Sequence, residues 1–509
     1  MDQLHQLIHT LSKTEKRYIK RMASLHVRGD ENNYIKLFDL LNDQDEYNES
    51  VLQNALQLDR NQFAVTKNYL YNVILDSLES YYANKNVNHE LDKQLHRVEI
   101  LFDKHLIVQA QKIADRIKKR AIELEQFFVL VKVIELELRM VHLSPEPLAE
   151  QLKTIYALKE ENLMAWEKLL QVNNYKHYYY QITYNALKFG LSNKVTDLEA
   201  INEILNKEEI ENEDNCKSAT ALNYLQAIKL RYYNMIQDSE KGLEYSGKQL
   251  KLMMEHPKIL IPSNLQYISR LYSHCTMCLY AGSIDEFEQY FNEMIGIEVQ
   301  NKHEEANLFF SRYNLAMQRD LVYLSLNETP KYIAMMQKSL KSDDIRLSSV
   351  QQAILFLQAA HLKFIMDQID DAQDWLNLIL NMGNASLRDD MYTVVYIKEM
   401  ILNFENGNHQ YLESRIRAIK RLLSNSNNLN ETSVAFIRFF TKVIKCVNSK
   451  EQTALFEQFK IEINTLIQTG EARQLSNFID VMSWIESKII KKPILYIMKQ
   501  KLQINTTDK

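Results

Sequence analysis

QQAILFLQAAHLKFIMDQIDDAQDWLNLIL, residues 351–380, decides the fold. Ala353, Phe356, Leu357, Ala360 and Phe364 step by three and four, which draws one apolar stripe along a helix, with small residues where a neighbour must come close. Beyond Asp367 the same spacing resumes at Ala372, Leu376 and Ile379 on a second helix. Residues 265–294 repeat the pattern: Leu265, Ile268, Leu271, Cys275 and Leu279, then, after Gly282, Phe287, Phe291 and Met294. Each pair carries a stripe it cannot cover by itself, so it must lean on another pair.

Working outward, polar, Gly or Pro breaks between two helix-period runs fall at His105, Pro145, Gly190, Gln237, Gly282, Asn327, Asp367, Gly407 and Ser449, 40 to 47 residues apart. A period of that size with a helix pair per unit is the mark of an α-solenoid. Start signals follow the breaks. Ser283 precedes Glu286 by three residues and Ser449 precedes Gln452, the spacing of capping boxes, and Thr329 stands before Pro330 as an N-cap before a first-turn proline. The chain has 9 glycines and 6 prolines in 509 residues, where average usage would give about 36 and 25. Hairpin-joined strands need many such residues and long helices need few. The expected fold is therefore all-α, an α-solenoid of about nine antiparallel helix pairs behind an N-terminal helical cap.

With Ala360 or Cys275 as the small residue inside a first helix, turns at Gly282 and Gly407, and an Ala-x-x-x-large step from Ala372 to Leu376, residues 90 to 490 resemble the tetratricopeptide-like solenoids. That family's usual repeat is 34 residues with a Trp-x-x-Leu-Gly-x-x-Tyr signature. The beat here is longer and lacks the signature, so helix pairs of the HEAT type remain open. Segments SKTEKRYIKR and VTKNYLYNVILDSLESYY resemble the amino-terminal parts of bacterial solenoid proteins of uncharacterised activity. The expected division is 1–84, a helical domain with helices near 13–26, 32–42, 49–57 and 62–83; 90–490, the repeats; and 491–509, a final helix and tail. The acidic stretch 207–215 and the Asn-rich stretch 424–430 read as solvated loops.

Composition bounds the function. With 46% hydrophobic and 25% charged residues the chain is an ordinary folded protein. A net charge of −5, from 61 basic and 66 acidic side chains, creates no overall field toward nucleic acid or an anionic membrane. The first residues lack the continuous apolar run of a secretory signal, and the most hydrophobic segment, 127–143, is interrupted by Lys132, Glu135, Glu137 and Arg139. Four cysteines do not make a disulfide framework. A cytoplasmic protein without membrane contact is expected.

Apparent catalytic motifs do not survive their context. Gly242, Gly247 and Lys248 imitate a phosphate-binding loop, but a helix-period run precedes them and Gln249 replaces the magnesium ligand. They read as small residues at helix packing points. Cys275 and Cys278, preceded by His274, sit mid-helix on the apolar stripe and read as buried hydrophobes. His303-Glu304-Glu305 lacks the second zinc histidine, since Asn307 stands there. No catalytic residue, cofactor or metal is expected.

The expected role is a non-enzymatic scaffold that binds a protein or peptide in the concave groove of a helical superhelix. By the family's pattern, first-helix residues displaced from the packing stripe face that groove: Tyr224, Arg231, Tyr272, Thr276, Arg312, Arg319 and His361. Arginine would grip carboxylates and tyrosine would supply flat contact area. Clusters among the 28 tyrosines, such as Tyr178, Tyr179, Tyr180 with Tyr184, and Tyr232 with Tyr233, suit packing edges and binding surfaces alike. The alternative is a regulator whose N-terminal helices, 49–57 and 62–83, outline a helix-turn-helix with Asn61, Gln62, Thr66, Lys67 and Asn68 toward base edges. Residues 1–83 hold 9 basic against 12 acidic side chains, which disfavours phosphate contact despite Lys13, Lys16, Arg17, Lys20 and Arg21.

Overall fold

The computed structural model describes residues 2–25, 33–82, 87–143, 146–189, 195–341, 345–382, 389–425, 430–469, 472, 475 and 479–507. Among them are 26 α-helices, one 3₁₀ turn and no strand. No helix of the described residues is long and apolar enough to cross a membrane. The chain forms two compact units, Met1–Leu169 and Leu170–Lys509.

In the first unit Asp2 caps Gln3–Thr10, a helix that the sequence reading did not anticipate, accepting from the Leu4 and His5 amides. The four expected helices follow as Lys13–Leu25, Asn33–Asp43, Glu49–Leu56 and Arg60–Tyr82. Leu4, Ile8, Leu37, Phe38, Leu52, Phe63, Leu70 and Ile74 close a small core between them. Next, Ile107–Glu123 packs on both Val87–Asp103 and Phe127–Val141, and these two also touch each other. Ala110, Ala114 and Ala121 are fully buried on the middle helix, which lets the backbones approach. The Glu137 carboxylate, sunk in this packing, accepts from Lys118 Nζ at 2.8 Å and Gln111 Nε2 at 3.1 Å.

In the second unit neighbours in sequence are neighbours in space. Ala219–Ile236 packs on Ser239–Glu255, which packs on Asn264–Ala281; that helix touches both Ile284–Ile295 and Lys302–Tyr323. Lys302–Tyr323 meets Thr329–Lys341 and Ser349–Ile365, and Ser349–Ile365 meets Ile369–Leu380. Contacts continue through Asp389–Glu405, His409–Asn425, Glu431–Val443, Ser449–Gln468 and Val481–Ile490 to Ile494–Thr507. A continuous apolar cluster runs from Ala353 to Ile494. Near its end Phe439 stacks on Phe459 at 4.0 Å, and the buried Trp484 donates its indole N–H to Glu405 Oε1 at 2.8 Å.

Five of the expected breaks, His105, Gln237, Gly282, Asp367 and Gly407, have left-handed backbone, the conformation that ends a helix by turning its last carbonyls to new donors. The break expected at Asn327 comes earlier, at the left-handed Leu324. Pro145 and Gly190 lie outside the described residues. Between them stands one helix of 42 residues, Leu148–Phe189, in place of a pair. It contains neither glycine nor proline to interrupt it.

Several caps differ from expectation. Ser283 makes no side-chain cap bond, and Asn448, one residue before Ser449, caps Ser449–Gln468 through the Lys450 amide. Thr329 begins its helix, but its hydroxyl donates to Asp320 Oδ2 at 2.5 Å. Capping boxes occur instead at Ser348 with Gln351 and at Asn430 with Ser433. Within 207–215, expected as a loop, Glu208–Glu211 is a helical turn with buried Ile210, followed by a 3₁₀ turn.

Candidate functional site

A pocket of about 310 Å³ in the second unit is lined by residues of four helices. Ala219–Ile236 contributes Ala227, Leu230, Arg231 and Asn234; Asn264–Ala281 contributes Arg270, Tyr272, Ser273, Thr276, Met277 and Tyr280; Gln318 and Tyr179 come from flanking helices. The spacing explains the convergence. Positions 227, 230, 231 and 234 share one helix face, as do 270, 273, 277 and 280, so each helix turns one face to the pocket.

Electrostatically the pocket is positive. Arg231 and Arg270 are both half-buried, and neither makes an ion pair among the described residues. Burial pushes the Tyr179 phenol up, but the neighbouring Arg231 and Arg270 charges outweigh it and hold the group below its ordinary value. The walls are aromatic and hydroxylic. Tyr224 meets the Tyr179 ring edge-on with centroids 5.9 Å apart. The Tyr272 hydroxyl accepts from Asn314 Nδ2 at 2.6 Å, and burial pushes this phenol up to about 12. Thr276 is held by its bond to the Tyr272 carbonyl at 2.9 Å. Gln318 Oε1 is buried without a hydrogen-bond partner. Such a site offers guanidinium and amide donors to an anionic group and flat rings to its carrier.

Of the seven expected binding residues, Arg231, Tyr272 and Thr276 line this pocket and Tyr224 adjoins it through Tyr179. The other three do not converge there. Arg312 is exposed, its guanidinium 5.7 Å from the Tyr313 ring centroid. Arg319 is engaged by Glu288 at 3.1 Å and by the buried Asp320 at 3.3 Å. His361 is buried beside Lys398, and burial, aided by that charge, takes its imidazole well below the ordinary value. Sequence reasoning missed Arg270, Gln318 and Tyr280. The signal for Arg270 was its place one turn before Ser273, off the stripe of Leu271 and Cys275, legible only once the facing helix is known.

The sequence motifs take structural places. Gly242 and Gly247 lie within the helix Ser239–Glu255, and a Cβ on Gly242 would come 2.7 Å from Met277 Sδ. His303 and Glu304 open Lys302–Tyr323, where Asn301 caps them. In the first unit Gln57 makes a left-handed turn between Glu49–Leu56 and Arg60–Tyr82. Gln62 caps the Asp59 amide, and Lys67 pairs with Asp2 at 2.7 Å.

Comparison with family models, curated proteins and solved structures finds no match to this chain.

Proposed function

We propose that this chain is a non-enzymatic α-solenoid scaffold of the tetratricopeptide-like kind, whose stacked helix pairs leave a concave groove for a protein or peptide partner. In this reading the pocket around Arg231 and Arg270 is the anchor, and it takes a carboxylate of the partner, either an Asp or Glu side chain or a free carboxyl terminus. One observation carries it: two half-buried guanidiniums face a common pocket with no carboxylate paired to either among the described residues. Desolvated arginines gain most from an incoming anion that bonds both, and the tyrosines around them supply rigid contact area of the kind that dominates binding energy. The sequential packing of helices from Ala219 onward supports the solenoid. A DNA-reading N-terminal segment has less behind it, because Lys67 is already neutralised by Asp2.

A random peptide library selected against the full chain and against an Arg231→Gln/Arg270→Gln variant tests the assignment. Peptides enriched in acidic residues or free carboxyl termini on the parent alone, with salt-sensitive affinity lost by about tenfold or more in the variant, would support it. Identical selections from both proteins would remove the pocket from the binding surface.

A further inference from the structure

Apart from that pocket's lining, two helices bring a histidine, a thiol and a carboxylate together. His274 and Cys278 lie four residues apart on Asn264–Ala281, hence on one face, and Glu286 reaches them from the first turn of Ile284–Ile295. One ligand atom of each lies within 4.8 Å of the others. His274 and Cys278 are buried, while Glu286 is half-exposed. Cys275, the other cysteine of the sequence pair, is not part of the group.

The hydrogen bonds around His274 set its orientation. Ser246 Oγ lies 3.0 Å from the Leu243 carbonyl and 2.8 Å from His274 Nδ1; with its hydroxyl proton on the carbonyl, its oxygen accepts from Nδ1. With Nδ1 as donor, the neutral ring turns the lone pair of Nε2 toward Glu286 Oε1, 3.1 Å away. Two acceptors at that distance need a positive species between them, either a proton or a metal cation. The Cys278 sulfur beside them is a ligand that a proton does not require. An outer-shell group fixing the far nitrogen of a ligating imidazole is also the usual support of a metal-bound histidine.

We propose that His274 Nε2, Cys278 Sγ and the Glu286 carboxylate form a site for a zinc-class divalent cation, with water at the fourth position on the half-exposed Glu286 side. Mixed nitrogen, sulfur and oxygen donors suit a borderline-soft ion, and three protein ligands leave one tetrahedral position open. Tetrahedral ligand atoms stand roughly 3.3 to 3.8 Å apart at the usual zinc bond lengths, so the longer separations close and the His274–Glu286 pair opens slightly, adjustments that side-chain rotation at Cys278 and Glu286 can supply. On binding, the Cys278 S–H bond breaks, a sulfur–metal bond forms and the proton leaves to solvent. The ion would tie together the two helices joined at the Gly282 turn.

The test uses the full chain, stripped with chelator and titrated with Co²⁺ and then Zn²⁺. The expected result is one metal per chain with a thiolate-to-cobalt charge-transfer band, the band absent in Cys278→Ser, and Zn²⁺ affinity lowered by about 10- to 100-fold in Ser246→Ala and at least as much in Glu286→Gln. Glu286 is half-exposed, so Glu286→Gln retains the fold, checked by its helical circular dichroism without metal. No cobalt band in the parent, a band that persists in Cys278→Ser, or equal Zn²⁺ affinity in parent and Glu286→Gln would overturn the site and leave a proton as the bridge between His274 and Glu286.

Discussion

Arg415 grips the buried carboxylate of Glu399 with two parallel bonds, Nε to Oε1 at 2.7 Å and Nη2 to Oε2 at 3.2 Å. The pair joins Asp389–Glu405 to His409–Asn425 across the Gly407 turn. Removing the cation would strand a charge inside the packing. Arg415→Met is therefore expected to cost about 3 kcal/mol in urea unfolding, and Arg415→Met with Glu399→Met to recover much of it. A single variant as stable as the parent would show that water already solvates the carboxylate.

Gly242 lies against Met277, with no room for a Cβ. Alanine normally gains about 1 kcal/mol over glycine inside a helix, but here overpacking of about 1 to 3 kcal/mol opposes it. Gly242→Ala should lower the melting temperature of the parent and raise that of a Met277→Ala background. The same sign in both backgrounds would contradict the contact.

Glu486 bridges Lys460 and Lys501, each at 2.8 Å. Burial pushes its carboxyl up, but the two ammonium groups outweigh it and the group titrates below its usual 4.5. A lowered carboxylate value adds stability that is complete above the unfolded value and is lost as pH falls through the folded one. Glu486→Gln should thus destabilise by about 1 kcal/mol at neutral pH, with parent and variant converging in melts taken well below pH 4.5. A gap that persists in acid would trace the effect to packing.

Asp320 is buried and accepts from Thr329, Tyr332 and Arg319. Thr329→Val keeps the shape and removes one donor, at an expected cost of about 1 to 2 kcal/mol. Combined with Tyr332→Phe, the loss should differ from the sum of the two, because both serve one carboxylate. Strict additivity would mean the donors act independently.

The helical character and most turn positions were legible because they are local. His105, Gln237, Gly282, Asp367 and Gly407 interrupt three-and-four spacing in the sequence, and each adopts the left-handed turn that such an interruption implies. The helix Leu148–Phe189 was misread as a pair because period alone does not show where a chain reverses when no glycine or proline marks it. Asn448 displaced Ser449 as a cap because neighbouring polar residues compete for the same amides within a single step. Arg231, Tyr272 and Thr276 were reachable from their offset to the apolar stripe. Arg270 was not, since its partnership with Arg231 depends on how two helices some forty residues apart are rotated about their axes, and His361 and Arg319 were absorbed by neighbours that spacing does not reveal.

Seven of the left-handed positions among the described residues, Gln57, His105, Glu125, Gln237, Leu324, Asp367 and Lys491, are not glycine. A side chain there costs roughly 1 to 2 kcal/mol in crowding against the following carbonyl. The molecule consequently holds unclaimed robustness at its corners: glycine exchange at the exposed Gln57, His105, Gln237 and Asp367 is a route to a hardier form.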